Sequence, residues 1–152
     1  MHKTESLESQ VDHIIEESRM VLPGIQALFG FQLIAVFNSS FSQVLPRAGR
    51  LLHLAAVVLI ACAIALIMAP AAYHRQAERH RVSSFFADYA SRLITIAMAP
   101  LLVAIAMEVA LVSYAISPIA WVAALLAAML AMLYVGLWYI YPRLKQRRST
   151  SR

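Results

Sequence analysis

The chain has 152 residues, of which 61% are hydrophobic and only 14% are charged. A soluble domain has about 45–50% apolar and about 25% charged residues, so the composition excludes an ordinary soluble domain. A membrane span needs about 20 apolar residues. The apolar residues form four runs of this length, which use most of the chain and leave no room for a separate soluble domain.

Residues 1–20 form a polar, mainly acidic segment with a periodic apolar stripe. The stripe consists of Leu7, Val11, Ile14, Ile15 and Met20. This spacing is typical of one face of a helix. We predict a short amphipathic cytoplasmic helix over residues 1–20 that lies against the membrane or a partner chain. The alternative is a frayed, solvated tail.

The first span is predicted at about residues 21–45 and is the least hydrophobic of the four. Pro23 stands near its start, where a missing N–H costs little. Its candidate ion-path residues are Gln26, Gln32, Asn38, Ser39 and Gln43. At about 100° per residue, Gln32, Ser39 and Gln43 share one helical face. Amide and hydroxyl oxygens can replace part of an ion's hydration shell, so this face is interpreted as lining a path for ions. Hydrogen bonding between helices is the alternative.

The other three spans are predicted at about 51–73, 93–115 and 119–141. Trp121 and Trp138 mark the two ends of the last span, as expected for aromatic residues at the headgroup level. Small residues recur every four positions and favour close helix packing within or between chains. They are Ala61, Ala65 and Ala69 in the second span, and Ala123, Ala127 and Ala131 in the fourth. We expect a homo-oligomer with the first span near the shared axis, because four helices barely shield that span's polar side chains.

The basic residues predict the orientation of the chain. Of the 13 Lys and Arg residues, only Arg47 and Arg50 fall between the first and second spans. The rest lie in the N-terminal segment, near the loop between the second and third spans, or in the basic tail, residues 143–152. Because basic residues favour the cytoplasmic side, both termini are predicted to be cytoplasmic. Attraction to the lipid bilayer accounts for the net charge of +5, and no nucleic-acid partner is needed.

Glu108 is the one carboxylate deep in a predicted span. An ionised carboxylate there is costly, so it must be paired, wetted or protonated. One interpretation is a group that binds a proton or a cation. The alternative is a structural glutamate that is hydrogen-bonded to the first span, or paired with His53 or Arg50.

No catalytic, metal or cofactor signature stands out in the sequence. A haem with two histidine ligands needs facing histidines, and the third and fourth predicted spans contain none. Paired carboxylates, a Ser/His/Asp set, a glycine-rich phosphate loop and a CxxC pair are all missing. We therefore expect no cofactor, no metal site and no enzymatic activity.

Two motifs carry a family resemblance. The first, Arg-x-x-Leu-Pro-Gly-x-Gln-x-Leu-Phe, covers residues 19–29, and the second, Ala-Pro-x-x-Tyr-His-Arg, covers residues 69–75. Together they resemble a bacterial family of small four-helix membrane proteins of unknown function, some of whose members carry an automatic sodium/proton antiporter designation. The resemblance implies a protein of the bacterial inner membrane. It also directs attention to a cytoplasmic corner formed by Pro23, His74 and Arg75, where Gln26 or the backbone at Pro23 is predicted to bond His74 or Arg75.

The sequence thus predicts an all-α, multi-pass membrane protein with four transmembrane helices and a short amphipathic N-terminal helix. The leading functional hypothesis is a homo-oligomeric ion channel or small ion transporter, with the first span lining the path and a cation or proton favoured. The alternative is a non-conducting structural or regulatory protein. Such a protein would organise a partner through its N-terminal helix and basic segments.

Overall fold

The computed structural model describes residues 7–77 and 83–150, and the regular elements in these ranges are helical. They are α1 (Leu7–Val36), α2 (Phe41–Val44), α3 (Arg47–Ala77), α4 (Ser84–Ile116), α5 (Ala120–Val135), a π-helical turn (Gly136–Ile140) and α6 (Tyr141–Thr150). Residues 1–6 of the predicted N-terminal helix, Arg79, His80 and Arg81 of the basic loop, and residues 151–152 of the tail lie outside the described residues.

Four helical segments are long and apolar enough to cross a membrane, which confirms the predicted fold class. They are Val11–Val36, Arg47–Ala77, Ser84–Ile116 and Ala120–Arg147. Large apolar side chains such as Leu54, Val58 and Met129 are more than half exposed on the outer surface. Lipid tails are as apolar as these side chains, so such exposure is expected of a multi-pass membrane protein.

The first span and the N-terminal segment form one helix, α1, which continues through Pro23. The prediction that Pro23 stands near the start of a helix is therefore wrong. Part of the reason lies in packing: Val11 is buried, and Ile14 and Ile15 pack on Phe86 of α4. The predicted amphipathic stripe thus contacts the chain itself, and this contact holds the N-terminal part of α1 in line with its span.

Helix α1 ends at Val36, not near residue 45, because a local turn competes with the helix. The backbone N–H of Ser40 donates to the side-chain Oδ1 of Asn38 over 3.0 Å. Asparagine side chains commonly form such turns, which offer the backbone an alternative to helical hydrogen bonds. The predicted polar face that combines Gln32, Ser39 and Gln43 therefore does not form.

The core is a seam of small residues between α3 and α4. Its alanines recur every seven positions and are almost fully buried; they are Ala56 and Ala63 in α3, and Ala90, Ala97 and Ala104 in α4. Small side chains let helix backbones approach closely, which is how helices associate in lipid. Ala61 and Ala65 are exposed, so the predicted four-residue seam of the second span does not pack within the chain. In α5, Ala123 is buried and Ala127 and Ala131 are half-buried, as expected for an inward face.

Helix α1 and the π-helical turn pack against this α3–α4 seam at one end of the bundle. Ile25 of α1 joins Ile60, Ile67 and Leu101 in one apolar cluster, and Trp138 of the π-helical turn packs against it. A cavity of about 240 Å³ there is lined by Glu17 of α1 and by Trp138, among others. The beginning of α1 and the end of α5 therefore lie at the same end of the molecule.

We expect Ala63→Leu to lower the free energy of unfolding by about 1–3 kcal/mol, because added methyl groups overpack a filled core. Ala61→Leu is the matched control on the exposed face of α3 and should have little effect. Thermal unfolding in detergent micelles, followed by helical circular dichroism, measures both. Equal losses of stability in the two variants would contradict the assignment of the seam.

Candidate functional site

The structure brings three polar residues together inside the bundle, each from a different span. They are Gln32 of α1, His53 of α3 and Glu108 of α4. Gln32 and His53 are 4% and 5% exposed, and the Glu108 side chain is 19% exposed. Buried polar groups in a membrane segment are rare and mark functional sites by default.

His53 lies between two acceptor groups. Its Nδ1 atom is 2.9 Å from Oε1 of Glu108. Its Nε2 atom is 3.1 Å from the backbone carbonyl oxygen of Gln32. The sequence analysis left several possible partners for Glu108. In the structure its partner is His53. Arg50, the other candidate, is exposed.

These contacts constrain where protons can lie on His53 and between His53 and Glu108. A backbone carbonyl only accepts, so Nε2 of His53 must carry a proton. One further proton must lie between Nδ1 and Oε1, because two lone pairs at 2.9 Å repel each other. That proton belongs either to an imidazolium beside a carboxylate or to a carboxylic acid beside a neutral imidazole. The pair therefore holds one transferable proton.

The contact between His53 and Glu108 is short but poorly aligned. Oε1 makes no hydrogen bond of good geometry with any described residue. Hydrogen bonds weaken steeply as the donor angle departs from linearity. Electrostatic attraction therefore holds His53 and Glu108 together more than hydrogen-bond geometry does. Separating the two side chains requires less free energy than breaking a well-aligned hydrogen bond.

The Gln32 side chain is buried without a partner of its own. Neither its Oε1 nor its Nε2 bonds any described residue. An unsatisfied buried amide costs about 1–3 kcal/mol, so its position requires an explanation. The amide offers a donor and an acceptor to a water molecule or a hydrated ion.

The short helix α2 covers this site. The Phe41 ring meets the His53 ring edge-on, with 5.1 Å between ring centroids. The turn at Asn38 reverses the chain after α1 and so brings Phe41 back over α3. This aromatic contact orients the imidazole between its two acceptors.

An apolar layer separates the site from the far end of the bundle. Along α3, residues Ala56, Ile60, Ala63 and Ile67 follow His53 and are all buried. His53 and His74 are 21 positions apart, which is about 32 Å along a helix. This is close to the thickness of a bilayer's hydrocarbon core, roughly 30 Å. The three-residue site therefore lies near one membrane face, and His74 lies near the other.

Four of the predicted ion-path residues are not part of this site. Gln26, Asn38, Ser39 and Gln43 are exposed, and only Gln32 and Glu108 of the predicted set come together. His53 completes the site, although it was predicted only as a possible partner. The spacing of the hydrophobic runs gives the depth of each residue in the membrane but not which helices are neighbours.

The two family motifs meet at one cavity, but Pro23 of the predicted corner is exposed and does not line it. Arg19 and Leu22 of the first motif line one cavity with His74 and Arg75 of the second. Gln26 is exposed, and the buried Nδ1 of His74 has no hydrogen-bond partner among the described residues. The prediction that Gln26 or the Pro23 backbone bonds His74 or Arg75 is therefore wrong for this part of the chain.

No metal-binding arrangement is found among residues 7–77 and 83–150. These ranges contain no group of three or more His, Cys, Asp and Glu side chains placed to hold an ion.

We expect His53→Phe to lower the free energy of unfolding by about 1–3 kcal/mol, because it leaves the Glu108 carboxyl without its partner. The double variant His53→Phe/Glu108→Leu should regain most of this loss, because replacing both partners with apolar residues is often neutral. Thermal unfolding in detergent measures each variant. A double variant as unstable as the single one would show that Glu108 does not depend on His53.

Comparison with known proteins gives a family but no activity. No curated protein and no solved structure matches the chain significantly. Residues 2–142, which include all three residues of the site, match a family of unknown function, DUF6328. The chain therefore belongs to the DUF6328 family.

Proposed function

We propose that this protein is a small, homo-oligomeric ion transporter of the bacterial inner membrane, and that protons are the ions it moves. The observation that carries the proposal is the buried contact between His53 and Glu108, with 2.9 Å between Nδ1 and Oε1. Histidine changes charge near neutral pH, and intramembrane carboxylates and histidines form proton relays in pumps and transporters.

The chemistry of the site favours a proton over a metal cation. Nε2 of His53 is held by the Gln32 carbonyl, and Nδ1 faces Glu108. Loss of the shared proton leaves a lone pair against a carboxylate, so deprotonation should push the two side chains apart. Proton release and a change in the α3–α4 contact are thereby linked.

The apolar layer favours a transporter over an open channel. Buried residues Ile25, Ile60, Ala97 and Leu101 lie on the route from the site toward the far end of the bundle. A polar path does not continue through them. Beyond this layer is a cavity of about 240 Å³. The site lies on one side of an apolar barrier and open volume lies on the other. This arrangement favours alternating access of the site to the two membrane faces.

The basic residues support an orientation with the three-residue site away from the cytoplasm. Arg19, Arg75 and Arg143 lie at the end of the bundle opposite that site, while Arg47 and Arg50 lie at the same end as the site. Basic residues concentrate on the cytoplasmic side. Protons would then reach His53 and Glu108 from outside the cell over a short distance.

The homo-oligomer is supported by polar groups left on the outside of α1. Gln26 is exposed within the span, beside the exposed apolar side chains of Phe31 and Ile34. An amide facing lipid has no hydrogen-bond partner and is costly. A second copy of α1 would supply a partner and shield Gln26 from lipid. The proposed shared axis therefore runs beside α1.

The partner-organising alternative is weakened by the packing of the N-terminal segment. Its apolar stripe was the predicted contact for a partner, but Val11 is 3% exposed and Ile14 and Ile15 pack on α4. What remains exposed is Met20 of the stripe and the acidic face with Asp12, Glu16 and Glu17.

In liposomes with a pH-sensitive dye inside and an imposed pH gradient, we expect the wild-type protein to accelerate proton flux. Glu108→Gln should reduce the flux to that of empty liposomes, because the amide cannot exchange a proton. His53→Phe/Glu108→Leu should be equally inactive while remaining folded. Cys62→Ser, at an exposed position of α3, is the matched control and should keep full activity.

Parallel assays with potassium, sodium and chloride establish which ion moves. Proton flux that persists in Glu108→Gln would remove this carboxylate from the path. Flux of none of these ions through the wild-type protein, at neutral or acid pH, would refute transport and favour the partner-organising role.

The oligomer has its own test. In a Cys62→Ser background, we expect Gln26→Cys to form disulfide-linked dimers under mild oxidation in membranes, because a disulfide needs Cβ atoms about 3.8 Å apart. Val58→Cys, exposed on α3, is the matched control and should stay monomeric. Equal cross-linking at both positions would mean random collision instead of a defined axis.

A further inference from the structure

A second site lies at the opposite end of the bundle from Glu108. A cavity of about 250 Å³ opens between α1, α3 and the Phe86 ring of α4. Its walls are mostly apolar and come from Ile14, Ile15, Leu22, Ile67, Met68 and Phe86. The proposed transport path does not use this cavity.

Three nitrogen-bearing side chains line the same cavity. They are Arg19 of α1 and His74 and Arg75 of α3. Both arginines are exposed, and neither forms an ion pair with a carboxylate among the described residues. The Nδ1 atom of His74 is buried yet has no partner in this part of the chain. Positive charge and an unused hydrogen-bonding group therefore stand beside apolar walls.

This combination matches a lipid with a negative headgroup. Arginine binds phosphate through two parallel hydrogen bonds, and basic pockets between transmembrane helices on the cytoplasmic side bind anionic lipid headgroups. The apolar walls match an acyl chain. Met68 is 47% exposed at the border of the cavity, where the surrounding lipid can reach it. A soluble anion would leave the apolar walls unused.

We propose that this cavity binds an anionic phospholipid of the surrounding bilayer. Arg19 and Arg75 hold the phosphate, and the half-buried His74 lies beside it in the cavity wall. At about 250 Å³ the cavity is smaller than the roughly 300–1,000 Å³ of sites that enclose a whole ligand. It accordingly takes part of one acyl chain, and the rest of the lipid stays in the bilayer.

A bound lipid of this kind joins α1 to α3. Arg19 is on α1 and Arg75 is on α3, so one phosphate that contacts both guanidinium groups ties the two helices together. A ligand that binds only the folded state raises the unfolding temperature, and the rise grows with the logarithm of the ligand concentration relative to its dissociation constant. Stability therefore reports occupancy without any transport assay.

The test is thermal unfolding of the purified protein in a neutral detergent with added lipid. We expect phosphatidylglycerol to raise the unfolding midpoint by several degrees, and phosphatidylcholine with the same acyl chains to raise it little. Arg19→Gln/Arg75→Gln should lose the phosphatidylglycerol effect. The matched control, Arg47→Gln/Arg50→Gln, removes the same charge at the opposite end and should keep it.

A cavity-filling variant tests the acyl-chain part separately. Ala71→Phe places a ring at the cavity wall, at an exposed position, without changing any charge. It should reduce the rise in unfolding midpoint that phosphatidylglycerol causes, and this test remains available even if Arg19→Gln/Arg75→Gln does not fold. Native mass spectrometry should show one retained phosphatidylglycerol per chain in the wild type, and fewer in Ala71→Phe.

Three results would overturn the proposal. Equal stabilisation by phosphatidylcholine would show that charge is not recognised. A full phosphatidylglycerol shift in Ala71→Phe and in Arg19→Gln/Arg75→Gln would place the lipid elsewhere. Stabilisation by free palmitate, with none by phosphatidylglycerol, would identify a fatty-acid site instead.

Discussion

A bilayer core offers no hydrogen-bond partner to a polar side chain, so every such group inside it must be bonded by protein, wetted or neutral. This constraint explains why His53 and Glu108 face each other, and it leaves the Gln32 side chain, which bonds no described residue, to be wetted. Each residue lies on a different span, and His53 contacts the other two through its two ring nitrogens. The contact that holds α3 beside α4 at this point is also the one that shares a proton. Structure and chemistry therefore depend on one imidazole.

Close packing of α3 on α4 brings that imidazole and its carboxylate within reach of each other. The alanines at seven-residue spacing let the two helices approach along their length, from Ala63 and Ala97 at mid-membrane to His53 and Glu108 near one face. Larger side chains in the seam would separate the helices and lengthen the 2.9 Å contact. The small residues thus contribute to the site without touching it.

Hydropathy and charge were sufficient to predict the fold class and the four spans, because lipid imposes length and polarity directly on the sequence. They also singled out Glu108. They could not predict that α1 would end at Val36, since that depends on one local hydrogen bond from Ser40 to Asn38. Nor could they pair Glu108 with His53. That pairing depends on which helices are neighbours, and the spacing of apolar residues does not encode it.

The unbroken course of α1 has a mechanical consequence. This one helix carries Arg19 at one membrane face and Gln32 toward the other, 13 positions or about 20 Å apart along its axis. A stiff rod of this length does not absorb a tilt locally. Tilting at the basic end is transmitted to the carbonyl that holds Nε2 of His53, and opening of the His53–Glu108 contact is felt at Arg19. Helix α1 therefore couples the two faces of the membrane mechanically. Pro23, near the middle of the helix, is its most flexible point.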